Sequence, residues 1–121
     1  MKNFKSRYFE DYKINEEITH SVPRTITEGD VAVYLATTGS RFPLNYSHEF
    51  AKDLGFESIP VDDILLFHLV FGRTVPDLSL NAIANLGYAG VIFHQPSFVG
   101  DTVTASSKVI GPLQELMPLE I

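Results

Sequence analysis

Residues 37–51, with the sequence TTGSRFPLNYSHEFA, place a glycine and a proline around polar side chains in the manner of an active-site loop. The polar residues at its centre include Ser40 and Asn45. A serine hydroxyl does not act as a base near neutral pH without an activating neighbour, and an amide does not exchange protons usefully. We therefore favour a structural turn into the next helix over an acid–base site at this segment.

Two adjacent carboxylates, Asp62 and Asp63, begin the most apolar part of the chain. Burial and a like-charged neighbour raise a carboxyl pKa, so either aspartate could serve as an acid or a base. Acidic residues also stabilise a helix N-terminus, and we favour that interpretation. His68 follows among apolar residues, where a hydrogen-bonded core histidine is the usual outcome. Its expected burial makes His68 the best proton-transfer candidate, so the catalytic candidates are Asp62, Asp63 and His68.

The other basic side chains are candidates for binding an anion. Arg41 lies in the loop, and Arg73 follows the apolar stretch. Each is more often a solvated surface charge, although arginine binds carboxylates well. His94 precedes the turn at Pro96, while His20 lies on a predicted edge strand. Since no histidine pair has the short spacing of a metal site and the chain has no cysteine, we predict no metal.

Composition bounds the class of protein. The 121 residues suit one domain, residues 1–121, and 45% of them are apolar, which is enough to form a core. The net charge of −6, with scattered bases, argues against nucleic acid or an anionic membrane surface as a partner. The N-terminus lacks the apolar region of a signal peptide, and no apolar run approaches the roughly 20 residues of a membrane span. We predict a cytoplasmic protein that gains stability by pairing with another subunit.

Capping residues define the first elements. Residues 18–26 alternate as a strand, with Pro23 marking it as an edge or interrupted strand. Thr27 is a plausible N-cap of a helix that Gly39 ends, and Ser47 is the N-cap of a short helix that Gly55 ends.

The second half of the chain predicts a helix and two strands. Residues 61–71 are apolar nearly all round, which is typical of a buried helix. Strands are predicted over residues 82–93 and 102–110, which gives an α+β domain whose antiparallel sheet wraps one central helix. The tail, residues 111–121, carries two prolines and predicts no further strand. Three strands would leave the helix poorly covered, so either the chain is short at its C-terminus or a partner supplies the cover.

Four segments together resemble the MaoC-like, hydratase-2 branch of the hotdog fold: YFEDY, residues 34–51, GFESIPVDDILLF and FHQPSFVGDT. In the loop, Gly39, Pro43, Leu44 and Ala51 fall in register with the motif of that family. The resemblance implies a hotdog fold with two further strands at the C-terminus. Within the family, RTITEGDVAVY, VDDILLFHLVFGRTVPD and SLNAIANLGYA are most similar to the N-terminal half of mesaconyl-CoA hydratases, also called β-methylmalyl-CoA dehydratases.

The resemblance also implies roles for individual positions. The acid–base pair of the family corresponds to Ser40 and Asn45, and the asparagine of the family's loop motif corresponds to Phe42. A glycine that lets the thioester oxygen approach the central helix is replaced by an aspartate. Arg41 and Arg73 would flank the acyl tunnel, and His94 would lie near bound CoA. The implied substrate-binding residues are therefore Arg41, Phe42, Arg73 and His94.

Three functions follow as hypotheses. The first is reversible hydration of a branched C5 enoyl-CoA, in which CoA is part of the substrate and no cofactor is needed. This lyase would act only in a homodimer or with a second hotdog domain. The second is a non-catalytic half that binds acyl-CoA or serves as a scaffold. The third is an acyl-CoA thioesterase in which Asp62 or Asp63 activates water.

Overall fold

The computed structural model describes residues 7–111 together with the backbone of residues 119–120. In that part of the chain the secondary structure is mixed, with 3₁₀ turns at Phe9–Asp11 and Pro43–Asn45. The helices are α1 (Glu28–Thr38), α2 (His48–Asp53) and α3 (Asp63–Leu78). The strands are β1 (Glu17–Thr25), β2 (Val91–Ile92), β3 (Thr102–Lys108) and β4 (Leu119–Glu120).

Strands β1 and β3 form an antiparallel pair. At one end, the Val109 N–H donates to the Glu16 carbonyl at 2.9 Å. At the other end, the Ile26 N–H donates to the Asp101 carbonyl, also at 2.9 Å. The predicted strands over residues 18–26 and 102–110 are thus confirmed within one or two residues at each end.

Helix α1 begins and ends at the predicted residues. The Thr27 hydroxyl accepts from the Asp30 N–H, and the Asp30 carboxylate accepts from the Thr27 N–H, which completes a capping box. Arg24 holds the same carboxylate with both guanidinium nitrogens, at 2.8 and 2.6 Å. This ion pair keeps the pKa of Asp30 well below its ordinary value. Gly39 ends the helix at φ 63°, a conformation that glycine adopts without steric cost.

Helix α2 also has the predicted caps. The Ser47 hydroxyl accepts from the Phe50 N–H at 3.2 Å. At the other end, the Phe56 N–H donates to the Ala51 carbonyl, and Gly55 lies at φ 90°. These bonds form a Schellman motif, which fixes the direction of the chain toward α3.

Contacts divide the chain into two compact units. Unit 1 comprises the described parts of residues 1–23, 70–94 and 104–121, and unit 2 comprises residues 24–69 and 95–103. The buried residues of unit 2 are almost all apolar: Ile26, Asn45, Ala51, Pro60, Val61, Leu65, Leu66 and Phe67. The buried residues described in unit 1 are His20 and Ala105.

Helix α3 is buried on one face only, which corrects the expectation of burial all round. Leu65, Leu66 and Phe67 are buried, whereas Ile64 is 50% exposed and His68 is exposed. Ile64 and His68 are four residues apart and therefore share a helix face. An apolar composition alone does not determine which face meets other residues of the chain. The helix also extends beyond the predicted stretch and includes Pro76 near its C-terminus.

The strand predicted over residues 82–93 is wrong except at β2. The Asn85 side chain accepts from the Gly87 N–H at 3.0 Å and donates to the Tyr88 hydroxyl. Such local bonds compete with a strand ladder, and Gly87 has a positive φ of 154° that breaks the extended path.

The tail differs from the prediction in one respect. Leu119–Glu120 form the short strand β4, parallel to β2, although no further strand was expected there. The prediction used the two prolines and the lack of alternation in the tail, but pairing through backbone groups needs no alternation, and Leu119–Glu120 follow the second proline. The rest of the predicted strandless tail, residues 112–118 and 121, lies outside the described residues.

Candidate functional site

In the loop after α1, the side-chain amide of Asn45 makes a structural hydrogen bond. Asn45 is 7% exposed, and its Nδ2 donates to the Pro60 carbonyl at 3.0 Å. That bond connects the 3₁₀ turn at Pro43–Asn45 to the residues that precede α3. Asn45 therefore anchors the loop, in agreement with the structural interpretation drawn from the sequence.

Asp62 is the N-cap of α3. Its Oδ1 accepts from the Ile64 N–H at 2.9 Å and from the Leu65 N–H at 3.4 Å. The Ser40 hydroxyl lies 3.5 Å from its Oδ2, at the outer limit of a hydrogen bond. The structure thus brings Ser40 and Asp62 together, and it assigns Asp62 the helix-capping role that the sequence favoured.

Two neighbouring groups have shifted pKa values. Partial burial and the charge of Asp62 raise the pKa of Asp63 above its ordinary value of 3.8. Burial, the charge of Asp62 and a hydrogen bond to it raise the pKa of Tyr34. Both shifts favour the protonated form, and since the ordinary pKa of a tyrosine is already 10.0, the Tyr34 hydroxyl is a hydrogen-bond donor beside the Asp62 carboxylate near neutral pH.

A cavity of about 510 Å³ opens beside this loop, within unit 2. Most of its lining residues are apolar, and Asn45 and His48 are among the polar ones. Volume and chemistry both match those of sites for small ligands with an apolar group. Val31, Leu35 and Val61 are among the apolar lining residues.

The remaining candidates of unit 2 lie on the surface. Phe42 is 57% exposed and Arg41 is exposed. The His68 ring contacts Phe67 edge-on, with ring centroids 5.8 Å apart. Because His68 is exposed, the burial that made it the best proton-transfer candidate is absent, and its role stays a prediction.

Arg73 and His94 belong to unit 1. Arg73 is half-buried, and its Nε is buried without a hydrogen-bond partner among the described residues. His94 is exposed. Their predicted roles in substrate binding stay predictions.

Two kinds of feature are absent from the described residues. Residues 7–111 and 119–120 contain no group of three or more histidine, aspartate or glutamate side chains placed to hold a metal ion. Across the same residues, no helix has both the length and the apolar character that a membrane crossing requires.

Sequence reasoning assigned no role to His20, a buried side chain of unit 1 that has a hydrogen-bond partner at each ring nitrogen. It is 3% exposed; its Nδ1 lies 2.7 Å from Asp77 Oδ2, and its Nε2 lies 2.8 Å from Ser107 Oγ. We call His20, Asp77 and Ser107 the His20 network. The available signal was the alternation of β1, which places His20 on the same face as the partly buried Ile18. No sequence pattern indicated its partners.

Comparisons with known proteins identify the family. The MaoC like domain family matches residues 10–116. A beta-methylmalyl-CoA dehydratase of Chloroflexus aurantiacus is 58% identical over 104 residues, which are 86% of this chain and 30% of that protein. A mesaconyl-CoA hydratase of Cereibacter sphaeroides is 52% identical over 111 residues, which are 92% of this chain and 32% of that protein. The chain thus spans about a third of the length of these curated relatives.

Solved structures agree with the sequence comparisons. A putative MaoC domain protein dehydratase from Chloroflexus aurantiacus matches with a TM-score of 0.85 and 55% identity, over 92% of this chain and 32% of that one. The (R)-hydratase from A. caviae involved in PHA biosynthesis matches with a TM-score of 0.64 and 25% identity, over 88% and 78%. These matches confirm the predicted α+β hotdog fold, and together with the match over residues 10–116 they show that the chain belongs to the MaoC like domain family.

Proposed function

We propose that this chain is one hotdog domain of an acyl-CoA hydratase or dehydratase, acting on a branched C5 enoyl-CoA when paired with a second hotdog domain. The observation that supports it most is the identity of 58% and 52% to a dehydratase and a hydratase over most of the chain. The second domain is a separate hotdog domain, because another copy of this chain would carry the same Ser40 and Asn45 in its loop.

The reaction adds water across a carbon–carbon double bond. The hydroxyl joins the β-carbon and a proton joins the α-carbon, so a base, an acid and donors to the thioester oxygen are needed. This chain lacks the usual pair at the loop, since Asn45 is an amide bonded to the Pro60 carbonyl and Ser40 has only a long contact to Asp62. The proposal therefore assigns the proton transfers to the second domain.

The start of α3 also supports the assignment of the catalytic steps to the second domain. The Ile64 and Leu65 N–H groups, which would otherwise be available to an oxyanion, already donate to Asp62. A carboxylate at that position also repels developing negative charge. What the chain retains is the apolar cavity of unit 2, which would hold an acyl group.

Substrate recognition beyond the acyl group belongs to the proposal as well. A C5 dicarboxylyl group carries a free carboxylate, for which Arg41 and Arg73 are the candidate partners. Phe42 and His94 are the further candidates for contact with the acyl-CoA. The substrate brings its own CoA, and no other cofactor is needed. A cytoplasmic location fits the absence of cysteine.

A complementation assay tests this function. The purified chain, any hotdog domain that a neighbouring gene encodes, and a mixture of the two are each incubated with mesaconyl-CoA, and CoA esters are measured by mass spectrometry. We expect hydration in the mixture only. Hydration by the chain alone, as a homodimer, would contradict the assignment of proton transfer to a separate domain and retain the hydratase activity. Acyl-CoA binding without hydration in any sample would favour the scaffold hypothesis.

Matched cavity variants locate the binding site. Val31 lines the cavity, whereas Val33, on the same helix, is 67% exposed and lies outside it. Val31→Phe should occupy part of the cavity and weaken acyl-CoA binding at least ~10-fold, because the added ring takes space that the acyl group would fill. Val33→Phe should leave the Kd unchanged. Equal Kd values for the two variants would place the acyl group elsewhere.

A further inference from the structure

We propose that Ser107 is an activated nucleophile that accepts an acyl group from a thioester or an activated ester. The proposal stands on the His20 network in unit 1 and does not depend on the hydratase function. It also differs from the thioesterase hypothesis drawn from the sequence, which assigned the chemistry to Asp62 or Asp63.

The two hydrogen bonds of His20 determine which nitrogen carries a proton. An ionised carboxylate only accepts hydrogen bonds, so the Nδ1 that lies 2.7 Å from Asp77 carries the hydrogen. In the neutral ring, Nε2 is then the acceptor, and the Ser107 hydroxyl at 2.8 Å donates to it. A hydroxyl donating to an imidazole that a third group orients is the arrangement that activates serine nucleophiles.

Burial holds the imidazole in this orientation. The His20 side chain is 1% exposed, so the ring has little freedom to rotate. Asp77 is 45% exposed on its side chain, and Ser107 is half-buried. Solvent and a small electrophile therefore reach the two ends of the network, while the base between them is fixed.

The alternation of β3 supplies a matched control. Ala105 is buried and Ser107 is half-buried on one face of the strand, whereas Ser106 is exposed on the other face. Ser106 thus carries the same hydroxyl and is more accessible, but it lies on the face opposite to His20. If exposure alone determined reactivity, Ser106 would react first.

The proposed step balances with water as the only co-reactant. Ser107 Oγ forms a bond to the acyl carbon while its proton passes to His20 Nε2, and Asp77 stabilises the resulting imidazolium. The carbon–sulfur bond breaks, and the leaving thiolate takes the proton from Nε2. Water then attacks the acyl-serine, and its proton returns to the serine oxygen through His20, which releases the carboxylic acid.

Covalent labelling of the intact chain with a fluorophosphonate probe tests the proposal, with the labelled residue identified by peptide mass spectrometry. We expect label on Ser107 in the folded chain, its loss in Ser107→Ala and in urea-denatured protein, and its retention in Ser106→Ala. Hydrolysis of acetyl-CoA, followed by thiol release, should be lost in the same variant. Acetyl-CoA has no double bond to hydrate, so this result is distinguishable from success or failure of the hydratase function.

Asp77 acts through His20 and is therefore a positioning residue. Asp77→Asn should lower the maximal labelling rate at least ~100-fold while leaving the probe concentration for half-maximal rate unchanged, because the favoured ring tautomer changes and the probe site does not. A merely structural role would alter both quantities or neither. Absence of label on Ser107, or equal labelling of Ser106, would overturn the proposal.

Discussion

The two units differ in what fills their interiors. Unit 2 has an apolar centre that includes Ile26, Val61 and Leu66, with Asn45 as its buried polar side chain. In unit 1, the described residues that are buried are His20 and Ala105. Apolar burial is non-directional and tolerates small rearrangements, whereas a buried imidazole needs its partners at fixed distances. Unit 2 therefore resembles an ordinary core, and unit 1 depends on hydrogen-bond geometry.

Unit 1 also exposes the larger apolar side chains of residues 79–90. Ile83 is fully exposed and Leu86 is 78% exposed. Together with the scarcity of buried apolar residues in the described part of unit 1, this exposure fits the proposed second hotdog domain, which would cover such a surface. We therefore expect mutations in unit 2 to lower stability through lost apolar burial. Mutations at the centre of unit 1 should lower it through lost hydrogen bonds.

The largest effect is expected in the apolar centre of unit 2. Leu66 is 4% exposed, and Leu66→Ala should lower the free energy of unfolding by about 3 kcal/mol through lost burial and the cavity left behind. Urea denaturation measures the change. Ile64→Ala, on the exposed face of the same helix, should cost less than about 1 kcal/mol. Equal costs would mean that α3 buries both faces in solution.

His20→Ala tests the centre of unit 1. We expect the free energy of unfolding to fall by about 2 kcal/mol, because Asp77 and Ser107 lose their shared hydrogen-bond partner. The loss should not be larger, since water can still reach both side chains. His48→Ala removes an exposed histidine and should change the free energy of unfolding by less than about 0.5 kcal/mol. If His20→Leu were as stable as the wild type, unit 1 would not depend on hydrogen-bond geometry, since an apolar side chain would stabilise it equally well.

Asn45→Ala measures the polar anchor of unit 2. Loss of its bond leaves the Pro60 carbonyl without this donor, and the expected cost is about 1.5 kcal/mol. Tyr46→Phe removes a hydroxyl that donates to the Arg41 carbonyl from an exposed residue, so its cost should stay below about 0.5 kcal/mol. Thermal unfolding of both variants provides the measurement. If Tyr46→Phe costs as much as Asn45→Ala, burial does not determine the strength of these loop contacts.

Features encoded by neighbouring residues were predictable from the sequence. The caps at Thr27 and Ser47 and the end of α1 at Gly39 each depend on residues within one helical turn, and each was found where it was expected. The family resemblance added the fold, because a motif in register carries information about distant parts of the chain.

Features encoded by distant residues were not predictable. The partners of His20 come from positions 57 and 87 residues away in the chain, and no local pattern indicates such a contact. The exposure of His68 depends on which face of α3 meets other residues, which its apolar neighbours do not reveal. Residues 82–90 have the composition of a strand, yet the local bonds of Asn85 determine their path.

The smallest expected change in stability is at Asp63, where repulsion by Asp62 competes with attraction to the N-terminus of α3. Its pKa is raised above 3.8 by partial burial and by Asp62, so the stability that its neutral form contributes is present below that value and is lost as the pH rises through the raised pKa. Asp63→Asn should then gain about 0.3 kcal/mol on the wild type between about pH 3 and about pH 6, a value reduced by solvent screening. Urea denaturation at both pH values, with and without added salt, measures this gain, and salt should diminish it. A loss instead of a gain at the higher pH would mean that attraction to the α3 N-terminus exceeds repulsion by Asp62, in which case both aspartates stabilise the helix.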